Sequence, residues 1–233
     1  MNEHHIRKNK IEDYQLIIFD LDGTLYFQKP FRKKMLLFLM KHVLKHPGCV
    51  KDMFLIKRYR EVREKWEELA PSVQGTDEMS LDDRQYAYVA AEKKVSPERV
   101  KKAVTFFMLE APLSLLPEFA DRELADTIVT LQEKGIQLAV YSDYPVKDKL
   151  ASLGIEIENQ FTAADEGIAC MKPDPKGLAY VLKVMQCQPK NALMVGDRME
   201  KDGQAAVANN VDYVILSGKK EERCGYLSHI FGI

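Results

Sequence analysis

The chain has 233 residues, 46% of them hydrophobic and 30% charged, with a formal net charge of −1 at pH 7. That apolar share suffices for one large domain, or one domain carrying a smaller one, and argues against a disordered chain; the near-neutral balance argues against a dedicated nucleic-acid binder. Cys49, Cys170, Cys187 and Cys224 lie far apart with no CxxC pair or histidine cluster, so they read as scattered reduced thiols rather than a zinc site or disulfide framework.

In chain order, the start MNEHHIRKNKIEDYQ is polar and charged, unlike a secretory signal. Ile17, Ile18 and Phe19 then form a short apolar run of the kind that makes a strand buried on both faces. Asp20 and Asp22 follow at its end. Residues two apart in an extended chain point to the same side, so both carboxylates are predicted to project beyond the strand tip, where Gly23 and Thr24 turn the chain. Two like charges held that close are costly unless a cation sits between them or a reaction uses them, and the pair is read as chemistry.

Residues 28–111 read as helices without a convincing strand. FRKKMLLFLMKHVLKH carries Met35, Leu36, Leu39, Met40 and Val43 at helical spacing and is stopped by His46-Pro47-Gly48. KDMFLIKRYREVREKWEELA places Phe54, Tyr59, Val62 and Trp66 on one stripe, with Pro71 as its stop. LDDRQYAYVAAEKKV follows, then a helix opened by Ser96, Pro97 and Glu98. A small bundle is expected. The longest strongly apolar run, MLLFLM at 35–40, is far too short to cross a bilayer, and a soluble, cytoplasmic protein is expected. The segment holds 18 Lys and Arg against 12 Asp and Glu, so the rest of the chain carries the acidic excess. Arg32, Lys33 and Lys34 lie nearest the first hinge, whereas Arg58, Arg60 and Arg63 are expected to face outward. Hinges are expected near 27–30 and 111–117, where prolines punctuate the chain.

From about residue 117 helices alternate with apolar strands. Leu124, Ile128 and Leu131 mark a helix in ADRELADTIVTLQEKG. IQLAVYS, a weaker stretch near Phe161, NALMVGD and DYVILSG read as strands, separated by helices over PVKDKLASLG, PKGLAYVLKVMQ and GQAAVANN. This order predicts an α/β fold with a doubly wound, mostly parallel sheet that includes the first strand. Residues 1–27 and 112–233 then form the core domain, and 28–111 an inserted helical domain.

Ligands in an open α/β sheet bind beyond the carboxyl ends of the strands. One such end is Ser142-Asp143 before a helix near Pro145, where a hydroxyl beside backbone N–H groups either suits a phosphate or caps the helix. Another is Gly196-Asp197, with Asp202 following in GDRMEKD. Together with Asp20 this makes three carboxylates near one point, suited to a hard divalent cation such as Mg²⁺. Lys172 in MKPDP is the third feature, with Pro173 and Pro175 fixing a turn. Tyr26 reads equally as a contact at the mouth of the site or as packing, Arg198 as the partner of a neighbouring carboxylate, and Glu166 as a rim residue.

The series DLDGT, a strand ending in Ser, KPDP and GDxxxxD, spread between residue 17 and about 216, resembles the four-motif signature of the haloacid dehalogenase superfamily. It is similar to the subfamily I members with a helical cap inserted after the first motif, and the resemblance implies a Rossmann-like core with a mobile cap. Carried over by position, it implies Asp20 as a nucleophile forming an aspartyl-phosphate, Asp22 as general acid and later base, and Lys172 as the cation that offsets the phosphate and steadies Asp20. It also implies Mg²⁺ held by Asp20, the backbone carbonyl of Asp22, Asp197 and Asp202, with Asp202 either a direct ligand or a support. Thr24, Ser142, the backbone at Asp143 and Lys172 are the expected phosphate contacts. Dehalogenases of the superfamily resemble this motif without the second aspartate, and YFQKPFRKK lacks the acidic, histidine-bearing stretch of the β-phosphoglucomutase kind. A Mg²⁺-dependent phosphatase acting on a small phosphorylated metabolite is therefore implied, with no nucleic-acid or membrane partner. A phosphomutase and a catalytically weak binding or regulatory protein are the alternatives.

Overall fold

Glu3–His5 (β1), Leu16–Phe19 (β2), Gln137–Ser142 (β3), Asn159–Thr162 (β4), Ala192–Gly196 (β5) and Asp212–Ile215 (β6) form one sheet in the order β1-β6-β5-β2-β3-β4. The structure is a computed structural model that describes residues 2–8, 10–70, 79–226 and 229. All neighbouring strands run parallel except β1, which pairs antiparallel with β6. Leu16, Ile17, Ile18 and Phe19 are each at most 1% exposed, the continuous burial expected of a strand covered on both faces. Each such side chain contributes roughly 1.5–3 kcal/mol relative to exposure. From β2 the chain adds β3 and β4 on one side, then crosses to add β5 and β6 on the other, so the strand order switches at the carboxyl end of β2. Phe19 lies opposite both Val140 and Val195, which brings Asp20 level with the ends of β3 and β5. Strand β1 has no counterpart in the sequence reading, because Glu3, His4 and His5 are exposed and carry no apolar periodicity.

Two compact units make up the chain, Met1–Phe31 with Leu116–Ile233, and Arg32–Leu115. These boundaries fall a few residues beyond the predicted ones; at the first of them Gln28–Lys45 (α1) is one continuous helix that begins in the first unit. The second unit also holds Val50–Glu64 (α2), Trp66–Leu69 (α3), Leu81–Lys93 (α4) and Pro97–Val104 (α5), followed by a π-helical turn at Thr105–Glu110. Ser80 and Ser96 cap α4 and α5 by accepting from the backbone N–H groups of Asp83 and Arg99.

Three expectations for this unit are corrected. Phe54 is 64% exposed, and the buried stripe of α2 and α3 runs through Leu55, Tyr59, Val62 and Trp66, which keep the three-and-four spacing that Phe54 breaks. On α1, Leu36 and Met40 are exposed, because the buried arc runs through Phe31 and Met35 and these two lie round the helix from it. Arg63 does not face outward: it is 1% exposed, and its Nη1 donates to Tyr59 Oη at 2.9 Å, Gln85 Oε1 at 2.5 Å and Asp82 Oδ1 at 2.6 Å. It shares the Tyr59 face, one turn along, where α4 presents a carboxylate and an amide. The expected stop at Pro71 lies outside the described residues.

The helices of the first unit are Arg122–Glu133 (α6), Lys147–Leu153 (α7), Pro175–Val184 (α8), Gln204–Ala208 (α9) and Lys220–Arg223 (α10). Leu124, Ile128 and Leu131 of α6 are buried, as their spacing predicts. One side of the sheet packs Ile18, Tyr141, Met194 and Ile215 against Leu178, Val181 and Ala206. Among the described residues no helix is long and apolar enough to cross a membrane, and the four cysteines are free thiols.

Candidate active site

The site grows from the end of β2. Asp20 still belongs to the ladder, its N–H donating to Val195 O at 2.8 Å, so its backbone is held by the sheet. The next residues form a single helical turn, with Leu25 N–H bonded to Leu21 O, and this returns Thr24 beneath Asp20. Thr24 Oγ1 donates to Asp20 Oδ2 at 3.2 Å and is fully buried. Thr24 thus supports the Asp20 carboxylate from beneath. Two glycines make room for the remaining acids. Gly23 has φ +105°, and a Cβ there would lie 2.1 Å from Asp197 Oδ2; a Cβ on Gly196 would lie 2.4 Å from Asp202 Cβ. Without those side chains, one carboxylate oxygen each from Asp20, Asp197 and Asp202 lie within 4.8 Å of one another. Asp202 is aimed inward by a π-helical turn at Met199–Gly203, and its Oδ2 accepts from the N–H groups of Asp197 and Arg198 at 3.2 Å each.

Lys172 enters this group from the loop before α8. Its Nζ, 2% exposed, donates to Asp20 Oδ1 and Asp202 Oδ1, both at 2.6 Å, and to Tyr141 O at 3.1 Å. Burial alone would lower the proton affinity of this ammonium, but the flanking carboxylates of Asp20 and Asp202 raise it well above the ordinary lysine value, so Lys172 stays charged. Three carboxylates then face one ammonium. Burial pushes Asp20 well above the usual carboxylate range, opposed by Lys172 and reinforced by Asp202 and Asp197. Burial and the neighbouring Asp202 raise Asp197 to about 7. An all-oxygen donor set with uncompensated negative charge fits a hard divalent cation.

Ser142 is buried, and its Oγ accepts from Tyr144 N at 3.2 Å within the loop before α7, whose first turn it does not cap. The Asp143 carboxylate accepts from Lys172 N at 2.9 Å and pairs with Lys201 at 3.5 Å, so that side chain props the Lys172 loop. Arg198 bonds Glu200 at 2.8 Å, and Glu166, Arg32, Lys33 and Lys34 are exposed.

Asp22 stands apart from the acidic group. Both its oxygens accept from Lys149 Nζ, at 2.6 and 2.7 Å, and Oδ1 also accepts from Tyr26 Oη at 2.7 Å. Burial would raise this carboxyl, but Lys149 and the Tyr26 hydroxyl bring it below the usual carboxylate range. Of the two readings of Tyr26, the structure shows a buried phenol that donates to Asp22 and packs edge-on against Phe31. The sequence reading missed Lys149 and Arg223. Lys149 occupies a buried-face position on α7, beside Leu150 and one turn before Leu153, and a lysine in that place was the available signal. Arg223 holds the turn from behind, Nη2 donating to Gly23 O at 2.7 Å and Nη1 to Thr24 O at 2.6 Å; nothing in its local sequence marks it.

The chain matches the haloacid dehalogenase-like hydrolase family over residues 14–210. It is 27% identical over 210 residues to the glyceraldehyde 3-phosphate phosphatase of Methanopyrus kandleri, covering 88% of this chain and 85% of that protein. To the phosphoglycolate phosphatase of Colwellia psychrerythraea it is 24% identical over 213 residues, covering 89% and 86%. The magnesium-bound HAD-hydrolase YfnB of Bacillus subtilis shares the fold with a TM-score of 0.62 at 16% identity, over 94% of this chain and 99% of that one. The 2-haloacid dehalogenase of Pseudomonas syringae does so with a TM-score of 0.59 at 18% identity, over 86% and 85%. At these identities the two structures speak for the fold alone.

Proposed function

This chain belongs to the haloacid dehalogenase-like hydrolase family, and from that premise we propose that it is a Mg²⁺-dependent phosphatase that hydrolyses a small soluble phosphate ester through an aspartyl-phosphate on Asp20. One observation carries the reading: two aspartates two positions apart have separate partners, Asp20 in an acidic group against Lys172, Asp22 against Lys149 and Tyr26. That separation suits a nucleophile and a proton carrier. Two relatives spanned over most of their length are named phosphatases of small phosphorylated metabolites, which supports the same class of substrate.

In this reading an Asp20 oxygen attacks phosphorus while the ester P–O bond breaks, and Asp22 passes its proton to the leaving oxygen, releasing the alcohol. Asp22 then takes a proton from water as the water oxygen attacks the same phosphorus. The bond between Asp20 and phosphorus breaks, the carboxylate is restored, and inorganic phosphate leaves. The approach of an anionic phosphate raises the proton affinity of Asp22, which the resting protein keeps ionised. Lys172 holds Asp20 in place and offsets the negative charge. Asp20, Asp197 and Asp202 would hold Mg²⁺, with the backbone carbonyl of Asp22 as a further oxygen, and the ion would supply positive charge against the phosphoryl oxygens. Asp22 also separates this reading from dehalogenation, which needs no proton for a leaving alkoxide.

Purified protein with Mg²⁺ is expected to release phosphate from a generic aryl phosphate and to stop when the metal is chelated. Asp20→Asn is expected to lower kcat by about a thousandfold or more. Full activity in that variant would overturn the mechanism.

A further inference from the structure

Lys149 belongs to none of the sequence motifs, yet its ammonium contacts both oxygens of the Asp22 carboxylate. Its Nζ reaches both oxygens at 2.6 and 2.7 Å and stands 5.4 Å from the centre of the Tyr144 ring, with the residue 8% exposed. Burying an ammonium is costly unless a partner compensates, and here the compensation is given at the acid beside Asp20. A carboxylate held by one hydrogen bond pivots about it. Two contacts from one ammonium, with the Tyr26 hydroxyl on Oδ1 at 2.7 Å, fix its plane. Asp22 and Tyr26 lie on the turn after β2, and Lys149 lies on α7 after β3, so all three belong to one compact unit.

We propose that Lys149 is a positioning residue that acts through Asp22, fixing the orientation of that carboxylate for proton transfer to and from the reacting oxygens. The assignment rests on the phosphatase reading. It joins α7, which follows the strand ending in Ser142, to the residue that protonates the leaving group, so a misplaced Asp22 would cost most where that proton matters most.

The test measures the transient rate of phenol release from aryl phosphates of graded leaving-group acidity, with Mg²⁺ present. Lys149→Met keeps the stem and removes the ammonium. It is expected to lower the rate about tenfold or more for the weakest leaving group and little for nitrophenol, steepening the dependence on leaving-group acidity. Lys149→Arg is expected to restore part of the loss, and it reads the same comparison if Lys149→Met does not fold. In an Asp22→Asn background, Lys149→Met is expected to change the rates less than about twofold, because the two residues act as one unit. An equal loss on every ester in both backgrounds would mark a structural prop and overturn the proposal, as would unchanged rates on every ester. Wild-type protein that releases neither phenol nor phosphate from any ester overturns the phosphatase reading, and this assignment with it.

Discussion

Asp20 and Asp22 are two residues apart and face different partners, and the glycines beside them decide how close the other acids come. With φ +105° and Asp197 Oδ2 only 2.1 Å from a built Cβ, Gly23 admits no side chain without moving the acidic group. Gly23→Ala is expected to lower stability by about 1–3 kcal/mol and to weaken Mg²⁺ binding, checked by thermal unfolding and by metal titration. Asp197 gives a pH test in metal-free protein. Its folded value of about 7 lies above the ordinary 3.8, so the folded state binds the proton more tightly. The resulting stability is complete below about pH 4 and is lost as the pH rises through about 7. In a chelator, the Tm of Asp197→Asn minus that of the unaltered protein is therefore expected to grow between about pH 4 and 7; a difference that shrinks over that window would contradict the assignment. Lys172 was legible in sequence because prolines and a motif mark it, and so were the three clustered acids, each at a strand end or just beyond one. Lys149 and Arg223 were not legible: their partners lie far off in sequence, at Asp22 for the one and Gly23 and Thr24 for the other, so no local spacing encodes either contact.

The apolar periodicity of the elements located them well and oriented them less well. Strands β2, β3, β5 and β6 were found because a short continuous apolar run bounded by turn residues suits a strand covered on both faces, whereas β1 is three exposed polar residues held only by pairing with β6. On α1 the apolar residues exceed the arc that is buried, so composition alone could not say which face is covered. Leu44→Ala, at a residue 83% exposed, is expected to shift stability by less than about 0.5 kcal/mol. Leu55→Ala, at 4% exposure, is expected to cost about 2–5 kcal/mol in denaturant unfolding. Ser96→Ala removes the cap of α5 and is expected to cost about 1 kcal/mol in thermal unfolding.

Across the whole molecule, topology assembles what the chain scatters. Asp20, Ser142 and Asp197 are far apart in sequence and adjacent in space because β2 lies between β3 and β5, at the switch in strand order. The chain's division into a sheet-bearing unit and a helical unit was legible as a change of period near residues 28 and 117. The exact junctions were not, because α1 runs through one of them without a break. Charge follows the same division: the helical segment carries the basic excess and the sheet-bearing part the acidic one, where the three clustered carboxylates lie. The most direct measurement is to quench the protein in acid during turnover of an aryl phosphate with Mg²⁺ and locate any phosphoryl group by peptide mass. A phosphoryl group on Asp20, absent in Asp20→Asn, is the expected result; phosphate release with no phosphorylated Asp20, undiminished in Asp20→Asn, would contradict the account.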